Sequence, residues 1–265
     1  MSLCFICLLR LPTMKLHTFS GYIQNIHLVE YPHGCMLLDG CTKVDYDEIV
    51  WFFKHTLKRP LSDLKVVMVT HMHPDHAGCA QYLRKKTGAR IITGKHNSHW
   101  YKGIKGRFAH LADMSLALWV AKRLGKKRKN IWYPAKLNAC YTLSDNSRIP
   151  DFEDWKVIYT PGHTDRDISL VNDKEKMLYV ADLIVKVKKT LAAPFPVYLP
   201  KEYKNSLAKI LRFEGYSMLM AHVPMITVKS SDIESLIETA PTSPATNMIA
   251  LQNRTKRLLK RVKLA

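Results

Sequence analysis

At 265 residues, with 47% hydrophobic and 24% charged side chains, the chain has the composition of an ordinary globular domain, which excludes a disordered tail, a collagen-like fibre and a disulfide-stapled miniprotein. No apolar run approaches the ~20 residues of a membrane-spanning helix, and the longest, 3–9, is followed by its cation (Arg10) where a signal peptide is preceded by one, so a soluble cytoplasmic protein is expected, starting at Met1 or Met14. The net charge of +19 is concentrated: residues 51–150 hold 20 Lys/Arg against 4 Asp/Glu, and 254–265 add six cations and no acid.

Such asymmetry favours anions, whether phosphates, acidic lipids or carboxylate substrates, although a solvated basic face also serves solubility alone. The six cysteines lack paired zinc-ribbon spacing and read as reduced thiols.

In chain order, 14–20 and 23–31 alternate like strands, and 35–38 is a short apolar run closed by the turn signal Asp39-Gly40. A helical stripe spans 46–57, and the β-branched run 66–69 predicts a buried strand. A helix over 77–87 closed by Gly88 and a strand over 89–93 follow. Residues 96–130 read as an inserted, mostly helical segment ending in Lys126-Lys127-Arg128-Lys129. Strands are expected over 155–160, 168–171, 177–180 and 217–221, with a helix over 201–213 before the last. Residues 240–247 read as a linker and 248–264 as a basic amphipathic helix, giving one domain over 14–240 and an appendage over 241–265.

The chemistry is concentrated after the strand at 66–69, in His71-Met72-His73-Pro74-Asp75-His76. His71 and His73 leave the strand tip two residues apart and project to one side. Pro74 turns the chain, so that Asp75 and His76 open a helix aimed at the same space. Imidazole nitrogen and carboxylate oxygen are the ligands that Zn²⁺ takes at ~2.0–2.2 Å. His163 (in Pro161-Gly162-His163-Thr164), Asp182 and His222 each follow another strand. One such residue would mean little, but the set gives every buried strand a coordinating end.

This order of ligands resembles the metallo-β-lactamase superfamily, and the opening hairpin through Leu37-Leu38-Asp39-Gly40 is similar to that family's; the match runs over about 14–232. The resemblance implies an α/β fold, a four-layer αββα sandwich of the metallo-β-lactamase type with a helical insertion. It also implies two metal sites: His71, His73 and His163 at the first, Asp75, His76 and His222 at the second, with Asp182 bridging both. The chain departs from the family pattern at Cys79, where a second glycine is usual, and at Asp165-Arg166-Asp167, where Pro-Gly follows the histidine turn. An aspartate at 182, where true metallo-β-lactamases carry Cys or Ser, argues against antibiotic hydrolysis and aligns the chain with the glyoxalase II and lactonase branch.

Two divalent ions, Zn²⁺ foremost with Mn²⁺ or Fe²⁺ as alternatives, can share a hydroxide ionised near neutral pH. The expected activity is hydrolysis of an ester, thioester or lactone carbonyl bond in a small, anionic substrate; the alternative is a phosphodiesterase acting on nucleotides or nucleic acid. Asp182 and Asp75 are the expected catalytic carboxylates, the latter orienting the nucleophile or accepting its proton. Thr70, Asp39 and Thr164 are candidates for holding the ligands' outer nitrogens. Tyr198 and His96 are candidate substrate contacts, each with a plain packing or surface alternative. The basic regions could make weak contact with an anionic membrane or nucleic acid, and no obligate protein partner is evident.

Overall fold

The structure, a computed structural model, describes residues 14–96, 98–187 and 190–246. Its first half builds one six-stranded sheet in simple order: β1 (Lys15–Ser20), β2 (Asn25–Tyr31), β3 (Gly34–Leu37), β4 (Leu64–Val69), β5 (Arg90–Gly94) and β6 (Tyr141–Leu143). The strands of the β1–β2–β3 meander pair antiparallel, and those from β3 to β6 parallel, with helical crossovers. These crossovers are α1 (Tyr46–Trp51), α2 (Pro74–Ala77) with α3 (Ala80–Thr87), and the long α4 (Gly103–Arg123). The second half supplies β7 (Arg148–Ile149), β8 (Phe152–Tyr159), β9 (Ile168–Asn172), β10 (Met177–Tyr179), β13 (Ser217–Leu219) and β14 (Ile226–Thr227), ordered β14-β13-β10-β9-β8-β7. A small hairpin, β11 (Val185–Val187) with β12 (Thr190–Ala192), stands apart, and α5 (Pro200–Ile210) and α6 (Ser230–Thr239) complete the fold.

The side-chain period of two on a strand sorts residues into three apolar layers. In β4, Val66 and Met68 join Val29, Trp155 and Leu170 between the sheets, while Val67 and Val69 face outward with Leu37, Leu83 and Ala117 under α3 and α4. In β13 and its continuation, Leu219 faces the inter-sheet layer, and Met218 and Met220 pack with Leu207 and Ile233 of α5 and α6. Helix, sheet, sheet, helix is therefore the order through the molecule, as the resemblance implied. At one end the sheets are tied directly: Asn25 N–H donates to Ala221 O (2.6 Å), and its side-chain amide donates to Val223 O (2.8 Å).

Several elements differ from the pattern-based expectation. The helix read over 46–57 is α-helical only to Trp51, continues as a π-type turn and ends at left-handed Lys58 (φ 55°). The helix read over 77–87 is two pieces broken at Gly78-Cys79. A Cβ at Gly78 would fall 2.1 Å from Pro74 O and 3.0 Å from Cys41 O, so the break packs against the 40–43 turn. Cys79 N–H donates to Cys41 O there (2.9 Å), which gives the departure at Cys79 a packing role. Among the described residues of the segment read as helical over 96–130, only Gly103–Arg123 is helix. The region read as a linker is anchored: Ala245 and Val197 exchange two backbone hydrogen bonds of 2.9 Å. The basic helix expected over 248–264 lies outside the described residues.

Gly162 shows how tightly the sandwich is closed around the residues before His163. Its φ is +150°, and a Cβ there would sit 2.4–2.7 Å from the backbone and Cβ of Tyr203 in α5. Gly162→Ala is expected to cost about 3 kcal/mol by overpacking against backbone that cannot yield, lowering Tm by roughly 6–12 °C for a domain of this size. A melting curve within 2 °C of wild type would show that α5 moves freely.

Candidate metal centre

The strands β4, β8, β10 and β13 run in a common direction within their sheets, and the loops after them converge at one end of the sandwich. His71, His73, Asp75 and His76 follow β4, His163 follows β8, Asp182 follows β10 and His222 follows β13. All are buried except the partly exposed Asp182 and His222.

Their donor atoms form two sets that share one residue. In the first, His73 Nδ1 lies 3.1 Å from His71 Nε2 and 2.9 Å from His163 Nε2, and Asp182 Oδ2 is 3.7 Å from His163 Nε2. In the second, His222 Nε2 lies 3.2 Å from Asp75 Oδ2 and 3.3 Å from Asp182 Oδ1, while His76 Nε2 lies 3.6 and 3.4 Å from the same two oxygens. The two oxygens of Asp182 thus face different sets.

The outer ring nitrogens fix which atoms point inward. Asp39 is the hub. Its Oδ2 accepts from His76 Nδ1 (2.6 Å), Thr70 Oγ1 (2.6 Å) and the Tyr179 hydroxyl (3.0 Å), and its Oδ1 accepts from Thr70 N–H (3.1 Å). Since the Thr70 hydroxyl donates to Asp39, it accepts from His71 Nδ1 at 3.1 Å. His163 Nδ1 donates to Pro196 O (2.6 Å) and His222 Nδ1 to Ile23 O (3.0 Å). His71 Nε2 and His163 Nε2 therefore present lone pairs to His73 Nδ1, which carries at most one proton and cannot satisfy both. Among the described residues, His76 Nε2 and Asp182 Oδ1 are buried without a hydrogen-bond partner, 3.4 Å from each other. Converging lone pairs and orphaned buried donor atoms are costly unless a cation stands among them, so the residues fit divalent metal ions in both sets.

Electrostatics separates the sets. Burial, reinforced by the neighbouring rings, pushes His71 well below the usual imidazole range and His73 down to about 3, so both are neutral and ready to ligate. Burial acts the same way on His76 and His222 but is outweighed by Asp182 and the other carboxylates, which raise His76 well above its ordinary value and His222 to about 10. Burial raises Asp182 and Asp75, but the facing imidazoles win and hold both carboxyls low. The carboxylates therefore favour the charged form of His76 and His222 in the second set, whereas burial favours the neutral form of His71 and His73 in the first.

Helix α4 roofs this centre. Leu116, Ala117 and Val120 border a pocket of about 90 Å³ against His73, Asp75, Asp182 and His222. Pattern reading missed one functional candidate on α4: Asp113, nearly inaccessible, approaches His73 Nε2 to 3.6 Å and accepts from the Tyr101 hydroxyl at 2.9 Å. Tyr101 in turn meets the Tyr133 hydroxyl at 3.0 Å, which donates to Met72 O at 2.5 Å. Burial raises Asp113 to about 6. One signal was available, because Asp113 is the lone acid between residues 96 and 140.

The candidates named outside the ligand set are placed as follows. A cavity of about 560 Å³ adjoins His71, its wall including Met72, His96, Trp100, Lys102 and Arg166. His96 faces Asp165 at 3.3 Å on this wall and belongs to neither donor set. Tyr198 packs edge-on against Trp100 with ring centres 5.1 Å apart, and the Arg166 guanidinium lies 5.4 Å from the Trp100 ring. Thr164 does not reach a ligand's outer nitrogen, as was expected of it; its hydroxyl and N–H donate to Asp167 (2.5 and 2.6 Å), closing the turn in which the Asp165-Arg166-Asp167 departure occurs.

Known proteins share this fold. The sequence profile of the metallo-beta-lactamase superfamily matches residues 20–217. A curated relative, the probable metallo-hydrolase YflN of Bacillus subtilis (strain 168), is 23% identical over 227 residues, covering 79% of this chain and 84% of its own. The crystal structure of the metallo-beta-lactamase family protein TTHA1429 from Thermus thermophilus superposes with a TM-score of 0.61 at 20% identity, over 85% of this chain and 78% of that one. TTHA1623, solved in a di-iron-bound form, gives 0.54 at 18% identity, over 80% and 94%. With three-quarters of its length inside the family profile, the chain belongs to the metallo-beta-lactamase superfamily.

Proposed function

We propose that the chain is a dinuclear metallo-hydrolase, with Zn²⁺ as resident ion, that cleaves an ester, thioester or lactone carbonyl bond in a small anionic substrate. The observation that carries this reading is the sharing of Asp182 between two donor sets of otherwise distinct residues. Bound divalent ions supply Lewis acidity and a water ionised near neutral pH. The chain's residues do the rest. Asp182 holds the sets in register, and Asp75, beside both His222 and the small pocket, is placed to take a proton from the attacking water. Leu116, Ala117 and Val120 keep bulk water from the reacting atoms. The cavity beside His71 offers an apolar wall at Met72 and Trp100, with Lys102 and Arg166 for a carboxylate.

A phosphodiester substrate is the second reading, favoured by the positive charge of residues 51–150. Lys122, Arg123 and the cations of 126–129 are exposed and line neither cavity at the site, which favours the carbonyl reading. A panel of lactone, thioester and bis-p-nitrophenyl phosphate substrates, with and without chelator, separates the two.

Protein purified without added metal is expected to carry close to two ions per chain by elemental analysis. Iron should be assayed beside zinc and manganese, given the di-iron form of TTHA1623. Less than half an equivalent, with no uptake on titration, would refute the reading.

Filling the second set must expel the protons held by His76 and His222, whereas the first set binds through neutral rings. Raised imidazole values in the ion-free protein mean that this proton competition strengthens as pH falls. Affinity of the second set should therefore fall as pH drops from 8 to 6, by up to about tenfold per pH unit for each proton displaced, while the first set changes less. Calorimetry in buffers of different ionisation enthalpy counts the protons, and no release at pH 7 would contradict the assignment.

Asp182→Ala should abolish turnover and lower the metal content while circular dichroism shows the fold retained. Tyr198→Phe, removing only a hydroxyl from a packed ring, should alter kcat/KM modestly. A loss beyond roughly a hundredfold, or ~2.7 kcal/mol, would instead place Tyr198 among the groups that touch substrate.

A further inference from the structure

Helix α4 is apolar on two opposite faces, an arrangement ordinarily found only where a helix is buried all round. Its inner face, with Asp113, Met114, Ala117 and Ala121, is packed on the body of the protein. Its outer face is not. Ile104, Phe108, Leu111 and Trp119 are 76%, 68%, 48% and 54% exposed, and at ~100° per residue they fall within about 80° of one another. Trp132 and Leu124, each 55% exposed, extend the surface, and a groove of about 450 Å³ between α4 and residues 128–132 continues it. A water-exposed stripe with this much aromatic and aliphatic surface calls for a covering partner.

The charge around the stripe defines that partner. Between residues 101 and 136 the chain carries ten Lys/Arg and one acid, Asp113, which is buried. All ten cations are exposed: Lys102, Lys105, Arg107, Lys122 and Arg123 lie on or beside α4, Arg128 and Lys129 line the groove, Lys126, Lys127 and Lys129 border a neighbouring pocket with Asp47 and Glu48, and Lys136 lies beside α3. The Arg123 guanidinium lies 4.9 Å from the Trp119 ring, so cation and aromatic share one patch. A second copy of this chain would set these cations against themselves. A nucleic acid would match the charge but leave Ile104, Phe108, Leu111 and Trp119 without apolar contact. A bilayer with anionic headgroups satisfies both, the side chains entering the interface while Lys and Arg reach the headgroups.

We infer that the outer face of α4, centred on Ile104, Phe108, Leu111 and Trp119, docks the protein on anionic lipid surfaces. Docked in this way, the metal centre lies beneath the roof helix, about one helix diameter, ~10 Å, from the interface.

The test is co-sedimentation of the full chain with phosphatidylcholine vesicles containing 0 or 30% phosphatidylserine, at 50 and 500 mM salt. The wild-type protein should partition onto the anionic vesicles at low salt and blue-shift its tryptophan emission on binding. The partition should fall at least tenfold in high salt or on neutral vesicles. Phe108→Ser/Trp119→Ser removes only exposed side chains and should cut partitioning at least tenfold with Tm preserved. Should that variant melt early, reversal of Lys126, Lys127, Arg128 and Lys129 to Glu is the second probe, with the same expected loss. Absence of binding to anionic vesicles at low salt would overturn the inference. So would binding that survives both substitution sets, which would locate it elsewhere in the chain. A wild-type dimer in sedimentation velocity that Phe108→Ser/Trp119→Ser dissolves would assign the face to a second copy, and equal loss of affinity for a 20-base-pair duplex in that variant would assign it to nucleic acid; either result overturns the lipid assignment.

Discussion

Five imidazoles and two carboxylates share one desolvated end of the sandwich, and their mutual electrostatics is the constraint around which the rest is arranged. Packed together without a cation, they leave lone pairs facing lone pairs and buried atoms without partners. The fold tolerates this because four of the five rings are held from behind, by the Asp39 carboxylate, the Thr70 hydroxyl, or a backbone carbonyl at Pro196 or Ile23, while His73 is backed only by Asp113 at 3.6 Å. Asp39 itself sits just past β3 and accepts from Tyr179 of β10, so one carboxylate links both sheets to the second donor set. Weakening that hub would loosen ligands from strands far apart in sequence.

Much of this was legible in the residues. The β-branched run at β4 and the spacing of His71, His73, Asp75 and His76 report a local geometry, a strand tip followed by a tight helical turn, and local geometry is what periodicity encodes. His163, Asp182 and His222 were readable because each follows a short apolar strand. Asp113 offered only its isolation as an acid among cations, and a lone acid on a helix looks like any solvated side chain until tertiary packing buries it against His73. Cys79 and Asp167 stood out as departures from a family pattern, but their reasons lie in contacts with Cys41 and Thr164 that only the folded chain reveals. The breaks at Gly78 and after Trp51 escaped for a similar cause, since apolar spacing continues through them while the backbone does not.

Helix α4 has a double character that composition alone conceals. Its inner face carries a buried carboxylate into hydrogen bonding with Tyr101, which with Tyr133 reaches Met72 O beside the ligand loop. Its outer face carries large apolar side chains in a field of cations. The two faces belong to one rigid rod, so whatever fixes the orientation of the outer one also fixes the approach of Asp113 to His73.

The separation of the ligands along the chain has a further consequence. Asp75 and His222, whose side chains meet at 3.2 Å, are 147 positions apart in sequence. In an unfolded chain, bringing such distant groups together costs roughly 4 kcal/mol of loop-closure entropy, before the remaining ligands are gathered. The sandwich has incurred that cost already through its strands. An ion at this centre consequently meets a preassembled cage in the folded chain and only scattered, weakly binding side chains in the unfolded one. By mass action the ion then acts as a clasp between the two halves of the sequence, and its free concentration becomes one of the quantities that set how stable the protein is.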